Sequence, residues 1–194
     1  MAPAAGTGSI AAIAMLLALA PGAPARAQDL VGKAAFCDAC HGENGIPPDT
    51  TMPVIWGQHQ AYLYRQISEF KVGNRQNDPM LSLIRNMPEE EMAALAEHFS
   101  QKPWPKLNQS RASEAETKRA QAAIVTGQCV ACHGILGMGD GTNPRIAGQS
   151  RGYVLKTLQE FQSKVRGNNP WMSDILGPLH PDDLVALAAF MAGR

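Results

Sequence analysis

Cys37, Cys40 and His41 stand together in FCDACHGENG, and Cys129, Cys132 and His133 stand together in QCVACHGILG. The two Cys-x-x-Cys-His copies lie 92 residues apart and use all four cysteines of the 194-residue chain. On one helical turn, thiols at i and i+3 project to the same side. They can reach two neighbouring vinyl groups on a porphyrin edge and form two thioether bonds, while the next residue turns its imidazole towards the iron. The pattern reads as a c-type haem attachment site, used twice, with His41 and His133 as proximal ligands. Three other chemistries use Cys-x-x-Cys. Zinc knuckles bring their pairs close together in sequence, redox dithiols sit in a βαβ frame, and a disulfide here would close a very small loop. None of them uses the two histidines.

A second axial ligand separates a carrier from an enzyme with an open iron. Of nine methionines, Met1 and Met15 fall in an apolar leader. Met138 follows His133 too closely to reach the opposite face, and Met52 is rather close to His41. Met92 and Met191 fall on apolar helix stripes, and the counterpart of Met87 is Leu179. Met80 and Met172 alone recur as Met in matching places, each 39 residues after its histidine and each following an Asn-x-Pro loop. They are the expected distal ligands. His/Met ligation raises the reduction potential relative to two nitrogen ligands and leaves no open position. That combination suits an electron carrier. His59, His98 and His180 read as surface or capping residues.

The elements that position these residues also come in pairs. GQHQAYLYRQISEF (from Gly57) matches GQSRGYVLKTLQEF (from Gly148) at an offset of 91, and RQNDPM (from Arg75) matches RGNNPWM (from Arg166) with Trp171 as an inserted residue. Leu63, Ile67 and Phe70 share one helix face, as do Val154, Leu158 and Phe161. Terminal helices open at Pro88 and Pro181 with carboxylates behind the proline, and carry the stripes Met92, Leu95, Phe99 and Leu184, Leu187, Met191. A short helix leads into each Cys motif, from about Leu30 and about Ser113. No stretch alternates as a strand does, so the fold class is all-α. KPWPKLNQSRA, from Lys102, reads as the linker. The expected domains are 28–103 and 113–194 around a linker at 104–112. With 6% aromatic residues overall, a domain this small needs a bulky apolar group at its centre.

The leader, residues 1–27, has an eleven-residue apolar run from Ile10 and an Ala-Arg-Ala ending, the form of a signal peptide. Arg26 is its only charged residue, so residues 28–194 carry 16 basic and 17 acidic side chains. Such a balance excludes a broad nucleic-acid footprint, and no later segment is apolar for long enough to span a membrane.

Together, CDACHG and CVACHG, the Gly-Gln-x-x-x-Tyr segments and the Arg-x-Asn-x-Pro loops resemble the two-domain, dihaem cytochromes of the cytochrome c4 type over essentially all of residues 28–194. The resemblance implies two tandem class I cytochrome c folds across a pseudo-twofold, two haem c groups, and a periplasmic electron shuttle. Redox-protein partners are implied, with an electron-donor complex or dehydrogenase on one side and a terminal oxidase as acceptor, and peripheral membrane association is compatible with that role. It also implies that the carbonyls of Pro53 and Pro144 accept hydrogen bonds from the proximal imidazoles, and that Arg75 and Arg166 meet haem propionates or stay solvated. Trp56, matched by Ala147, and Trp171 depart from the family pattern and bear on the relative potentials of the two haems. Two other functions use similar chains: the dihaem subunit of a dehydrogenase, such as the flavocytochrome type that oxidises sulfide, and a dihaem enzyme such as a peroxidase or thiosulfate dehydrogenase. The paired methionines argue against the enzyme.

Overall fold

The computed structural model describes Met1 and residues 25–194, so most of the leader, residues 2–24, lies outside the described residues. All regular structure among the described residues is helical: α1 (Ala25–His41), α2 (Gln60–Lys71), α3 (Asp78–Ile84), α4 (Glu89–Ser100), α5 (Glu114–Thr126), α6 (Val130–His133), α7 (Arg151–Gln162), α8 (Pro170–Leu176) and α9 (Pro181–Ala192). No single described helix is long and apolar enough to cross a membrane.

Each half builds the same arrangement. The helix entering the Cys motif packs on the terminal helix, α1 on α4 and α5 on α9, and the terminal helix packs on the middle one, α4 on α2 and α9 on α7. Most of the stripe residues are buried: Leu63, Phe70, Met92, Leu95 and Phe99 in the first half, and Val154, Phe161, Leu184, Leu187 and Met191 in the second, with Ile67 and Leu158 half-buried. Ion pairs reinforce the first contact in each half: Lys33 Nζ–Glu91 Oε1 at 2.7 Å, and Arg119 Nε–Asp183 Oδ1 at 2.7 Å. Two caps set helix starts. Ser113 and Glu116 form a capping box on α5, and the His180 ring accepts the Asp182 N–H on α9 at 3.2 Å.

The halves differ where the Cys motifs begin. In the first, α1 runs without a break from Ala25, earlier than expected, to His41; in the second, Gly127 ends α5 and Gln128 adopts φ +50° before the short α6 resumes. Glycine favours that stop because it loses the most backbone freedom inside a helix.

Two helices were not anticipated. The Asn-x-Pro loops are the starts of α3 and α8, with Asn77 and Asn169 as N-caps, and the Asn77 side chain accepts the Met80 N–H at 3.0 Å. Counting from the N-caps places Met80 and Met172 both at the third helical position, with Trp171 opposite Pro79. Arg75 and Arg166 also match, each donating its N–H to a glutamate carbonyl six residues back (Glu69 and Glu160) at 3.0 Å. The inserted residue therefore lies between Arg166 and Asn169, not at Trp171. It lengthens the loop and leaves the helix register intact.

The segment between the halves carries no regular structure but is pinned. Gln109 accepts the Arg151 N–H at 2.7 Å and donates to the Gln149 carbonyl at 2.9 Å, and the Arg145 guanidinium lies 4.2 Å from the Trp104 ring centre. Gly57 and Gly148, at φ +67° and +72°, donate to the Phe99 and Met191 carbonyls at 2.8 Å, tying equivalent loops to the ends of the terminal helices.

Candidate haem sites

The His41 Nδ1 atom lies 3.0 Å from the Pro53 carbonyl oxygen, and His133 Nδ1 lies 3.1 Å from that of Pro144. A carbonyl only accepts, so each Nδ1 carries the proton and each Nε2 keeps a free lone pair. Burial lowers the pKa of both imidazoles, more than the proline hydrogen bonds raise it, so both are neutral at neutral pH. A neutral, oriented imidazole with its second nitrogen free is the form that binds a metal.

Cys40 and Cys132 are exposed, Cys37 and Cys129 half-buried, and all four are free of disulfides. Burial pushes the Cys37 thiol up to about 11 and raises that of Cys129. A redox dithiol needs the opposite shift. Among the described residues, no group of three or more His, Cys, Asp or Glu side chains converges as a site for a bare metal ion.

Met80 and Met172 are both half-buried at equivalent positions. Met172 packs beside Phe161 and Leu176 in the second core. Met92 and Met191 are core residues at 2% and 7% exposure, and Met87 packs against the first core. Met138 is exposed. His98 meets Phe99 edge-on, while His59 reaches the other half and donates from Nε2 to the Met138 carbonyl at 2.7 Å. Trp56 donates Nε1–H to Asp38 Oδ1 at 3.0 Å, beside the first Cys motif, where the second half has a buried Ala147.

Sequence reasoning missed the polar cluster between the halves. Gln66, buried in α2, accepts from Arg75 Nη1 at 3.0 Å, Arg166 Nη2 at 2.7 Å and Asn168 Nδ2 at 3.2 Å; Arg75 Nη2 also donates to the Tyr153 hydroxyl at 3.0 Å. Burial pushes the Tyr153 hydroxyl up, but the Arg75 and Arg166 charges outweigh it and hold the group below the usual phenol range. Arg166 is 4% exposed, not solvated, and its Nη1 has no partner. A buried guanidinium N–H without an acceptor is costly.

These features fit haem, a large apolar ring that carries carboxylates. Apolar side chains lie open beside both Cys motifs, Phe36 at 72% and Ile135 at 79% exposure. A cleft of about 250 Å³ at the second motif is lined by Ile124, Cys129, His133, Ile146, Phe190 and Met191. The orphaned Arg166 nitrogen fits a carboxylate.

An all-helical chain that builds this site twice is a tandem c-type cytochrome, and its cofactor is haem c, with iron. The cytochrome c family model matches residues 117–193, which contain the second motif and Met172. Cytochrome c4 of Azotobacter vinelandii is 32% identical over 180 residues, covering 84% of this chain and 86% of that protein. The thiosulfate dehydrogenase electron acceptor of Thiomonas intermedia is 31% identical over 180 residues, covering 88% of this chain and 81% of that protein. The crystal structure of reduced recombinant cytochrome c4 from Pseudomonas stutzeri superposes with a TM-score of 0.76 at 26% identity, covering 86% of this chain and 97% of that one. The chain belongs to the cytochrome c4 family: it is a dihaem c-type cytochrome that carries electrons.

Proposed function

We propose that residues 28–103 and 113–194, joined by 104–112, each hold one haem through thioethers at Cys37 and Cys40 and at Cys129 and Cys132. His41 with Met80 and His133 with Met172 would ligate the two irons. The observation that carries this reading is the repetition of two placements: a neutral histidine with Nδ1–H on a proline carbonyl, and a methionine at the third position of a short helix that starts after an asparagine. Bound haem supplies a one-electron couple. The chain's own part is to hold each imidazole in one tautomer and orientation, to keep the methionine on a rigid helix, and to exclude water from the site. Arg166 Nη1, on this reading, meets a haem carboxylate.

The protein works as a periplasmic shuttle after removal of residues 1–27, taking electrons from a dehydrogenase and passing them towards a terminal oxidase. The relative named as an electron acceptor of thiosulfate dehydrogenase favours that enzyme as the donor. The ligand assignment is tested by Met172→Ala and Met191→Ala in the holoprotein. The first should abolish the far-red ferric band of one haem. The second should keep both bands and cost about 2–5 kcal/mol of stability, as deletion of a core side chain does. Both bands surviving in Met172→Ala, or either being lost in Met191→Ala, refutes the assignment. The donor is tested by mixing the oxidised protein with thiosulfate and catalytic thiosulfate dehydrogenase; failure to reduce it excludes that partner.

A further inference from the structure

Gln58 and Gln149 occupy matching places in the two halves and are each 3% exposed. Each spends its side-chain amide on one residue of the opposite half. Gln149 Oε1 accepts the Val54 N–H at 2.8 Å, and its Nε2 donates to the Val54 carbonyl at 2.9 Å. Gln58 Oε1 accepts the Arg145 N–H at 2.9 Å, and its Nε2 donates to the Arg145 carbonyl at 2.9 Å. A second hydrogen bond holds each oxygen, from the Ser150 N–H to Gln149 at 2.8 Å and from the His59 N–H to Gln58 at 3.0 Å.

The peptide that each glutamine grips is also the one that orients a histidine. The Val54 N–H belongs to the same peptide unit as the Pro53 carbonyl, which accepts His41 Nδ1–H at 3.0 Å. The Arg145 N–H shares a unit with the Pro144 carbonyl, which accepts His133 Nδ1–H at 3.1 Å. Resonance couples the two ends of a peptide. An N–H that donates makes its own carbonyl a stronger acceptor, and such chains polarise one another in a buried site. Two crossed chains therefore run between the halves: from Gln149 through the Pro53–Val54 peptide to His41, and from Gln58 through the Pro144–Arg145 peptide to His133.

We propose that Gln149 and Gln58 are positioning residues for the redox centre of the opposite half. Each sets the donor strength of a proximal imidazole through the Pro–Val or Pro–Arg peptide. The inference rests on His41 and His133 being the iron ligands. A stronger Nδ1–H bond gives the imidazole more anionic character, which favours ferric iron and lowers the potential. Losing the glutamine amide thus raises the potential of the haem in the other half.

The test uses the ferrous holoprotein labelled with ¹⁵N-histidine, alongside a redox titration that resolves both couples. In Gln149→Met, a residue of similar length without the amide, the His41 Nδ1–H resonance should move upfield and exchange faster while that of His133 stays in place. The N-terminal couple should shift positively by about threefold in its equilibrium constant, which is about 30 mV for one electron. Gln149→Glu keeps the acceptor for the Val54 N–H and makes it anionic, so it should move the His41 Nδ1–H downfield. That variant carries the test where Gln149→Met fails to fold. Gln58→Met should give the mirror image at His133. An unmoved His41 Nδ1–H in these Gln149 variants, or a shift at His133 in its place, overturns the inference. Wild-type spectra lacking haem-shifted ring protons for His41 and His133 overturn the ligand assignment, and this inference with it.

Discussion

Arg166→Met turns the orphaned guanidinium nitrogen into a measurement. Arg166 is 4% exposed, donates from Nε to Asn168 Oδ1 at 3.0 Å and from Nη2 to Gln66 Oε1 at 2.7 Å and the Tyr62 hydroxyl at 3.4 Å, and lies 4.4 Å from the Phe161 ring centre. Each charged hydrogen bond is worth about 1.5–3 kcal/mol and the aromatic contact up to about 2 kcal/mol. Against these stands a desolvation penalty of several kcal/mol for burying the charge. Were those the only contacts, replacement by a methionine that fills the same space would be close to neutral. With a haem carboxylate on Nη1, the substitution leaves a buried anion without its partner, and the loss is about 3–5 kcal/mol. Arg75 is half-buried, shares its terminal nitrogens between Gln66 and Tyr153 at 3.0 Å each and lies 4.3 Å from the Phe70 ring centre, contacts offset in the same way by desolvation and with no terminal nitrogen left for a carboxylate, so Arg75→Met should cost only about 1–2 kcal/mol. Urea denaturation of the holoprotein, followed by both haem absorbance and far-ultraviolet dichroism, gives the comparison. An Arg166→Met protein within about 1 kcal/mol of wild type would refute the carboxylate partner.

Two further perturbations test the frame around the sites. In Gly57→Ala, φ of +67° meets a Cβ that would come to 2.9 Å from the Trp104 nitrogen and 3.0 Å from the Lys102 oxygen, both backbone atoms. The expected loss is about 2–4 kcal/mol, against less than about 0.5 kcal/mol for Gly167→Ala, where the added carbon meets nothing within 4 Å. Equal melting temperatures for the two variants would refute this. Glu116 is held below the ordinary carboxylate pKa chiefly by the Ser113 N–H, then by the Ser113 hydroxyl and Arg151. A depressed carboxylate contributes stability above its unfolded pKa, and that contribution fades as pH falls through the folded value. The melting deficit of Glu116→Gln should therefore be full at neutral pH and shrink below about pH 4. A deficit independent of pH would mean that the ionised carboxylate is not its source.

The sequence alone determined most of what is local or periodic. Cys-x-x-Cys-His declares its chemistry within five residues, and amphipathic stripes such as Met92, Leu95 and Phe99 follow from the helical repeat. The 92-residue offset between the motifs identified Met80 and Met172 as a matched pair. α3 and α8 were legible in principle, since asparagine followed by proline is a helix-start signal, but at seven residues each they are too short to show periodicity. The position of the inserted residue depended on the same point: only the helical register shows that Trp171 is the counterpart of Pro79. Tertiary structure decided what the polar residues do. Gln58 and Gln149 read as matching positions in a repeat, and nothing in either neighbourhood indicates a partner 87 or 95 residues away. Arg166 read equally well as a solvated surface residue. A hydrogen bond between halves is set by the angle at which two preformed helical units meet. That angle comes from the sum of many weak contacts and leaves no pattern in any one stretch of chain.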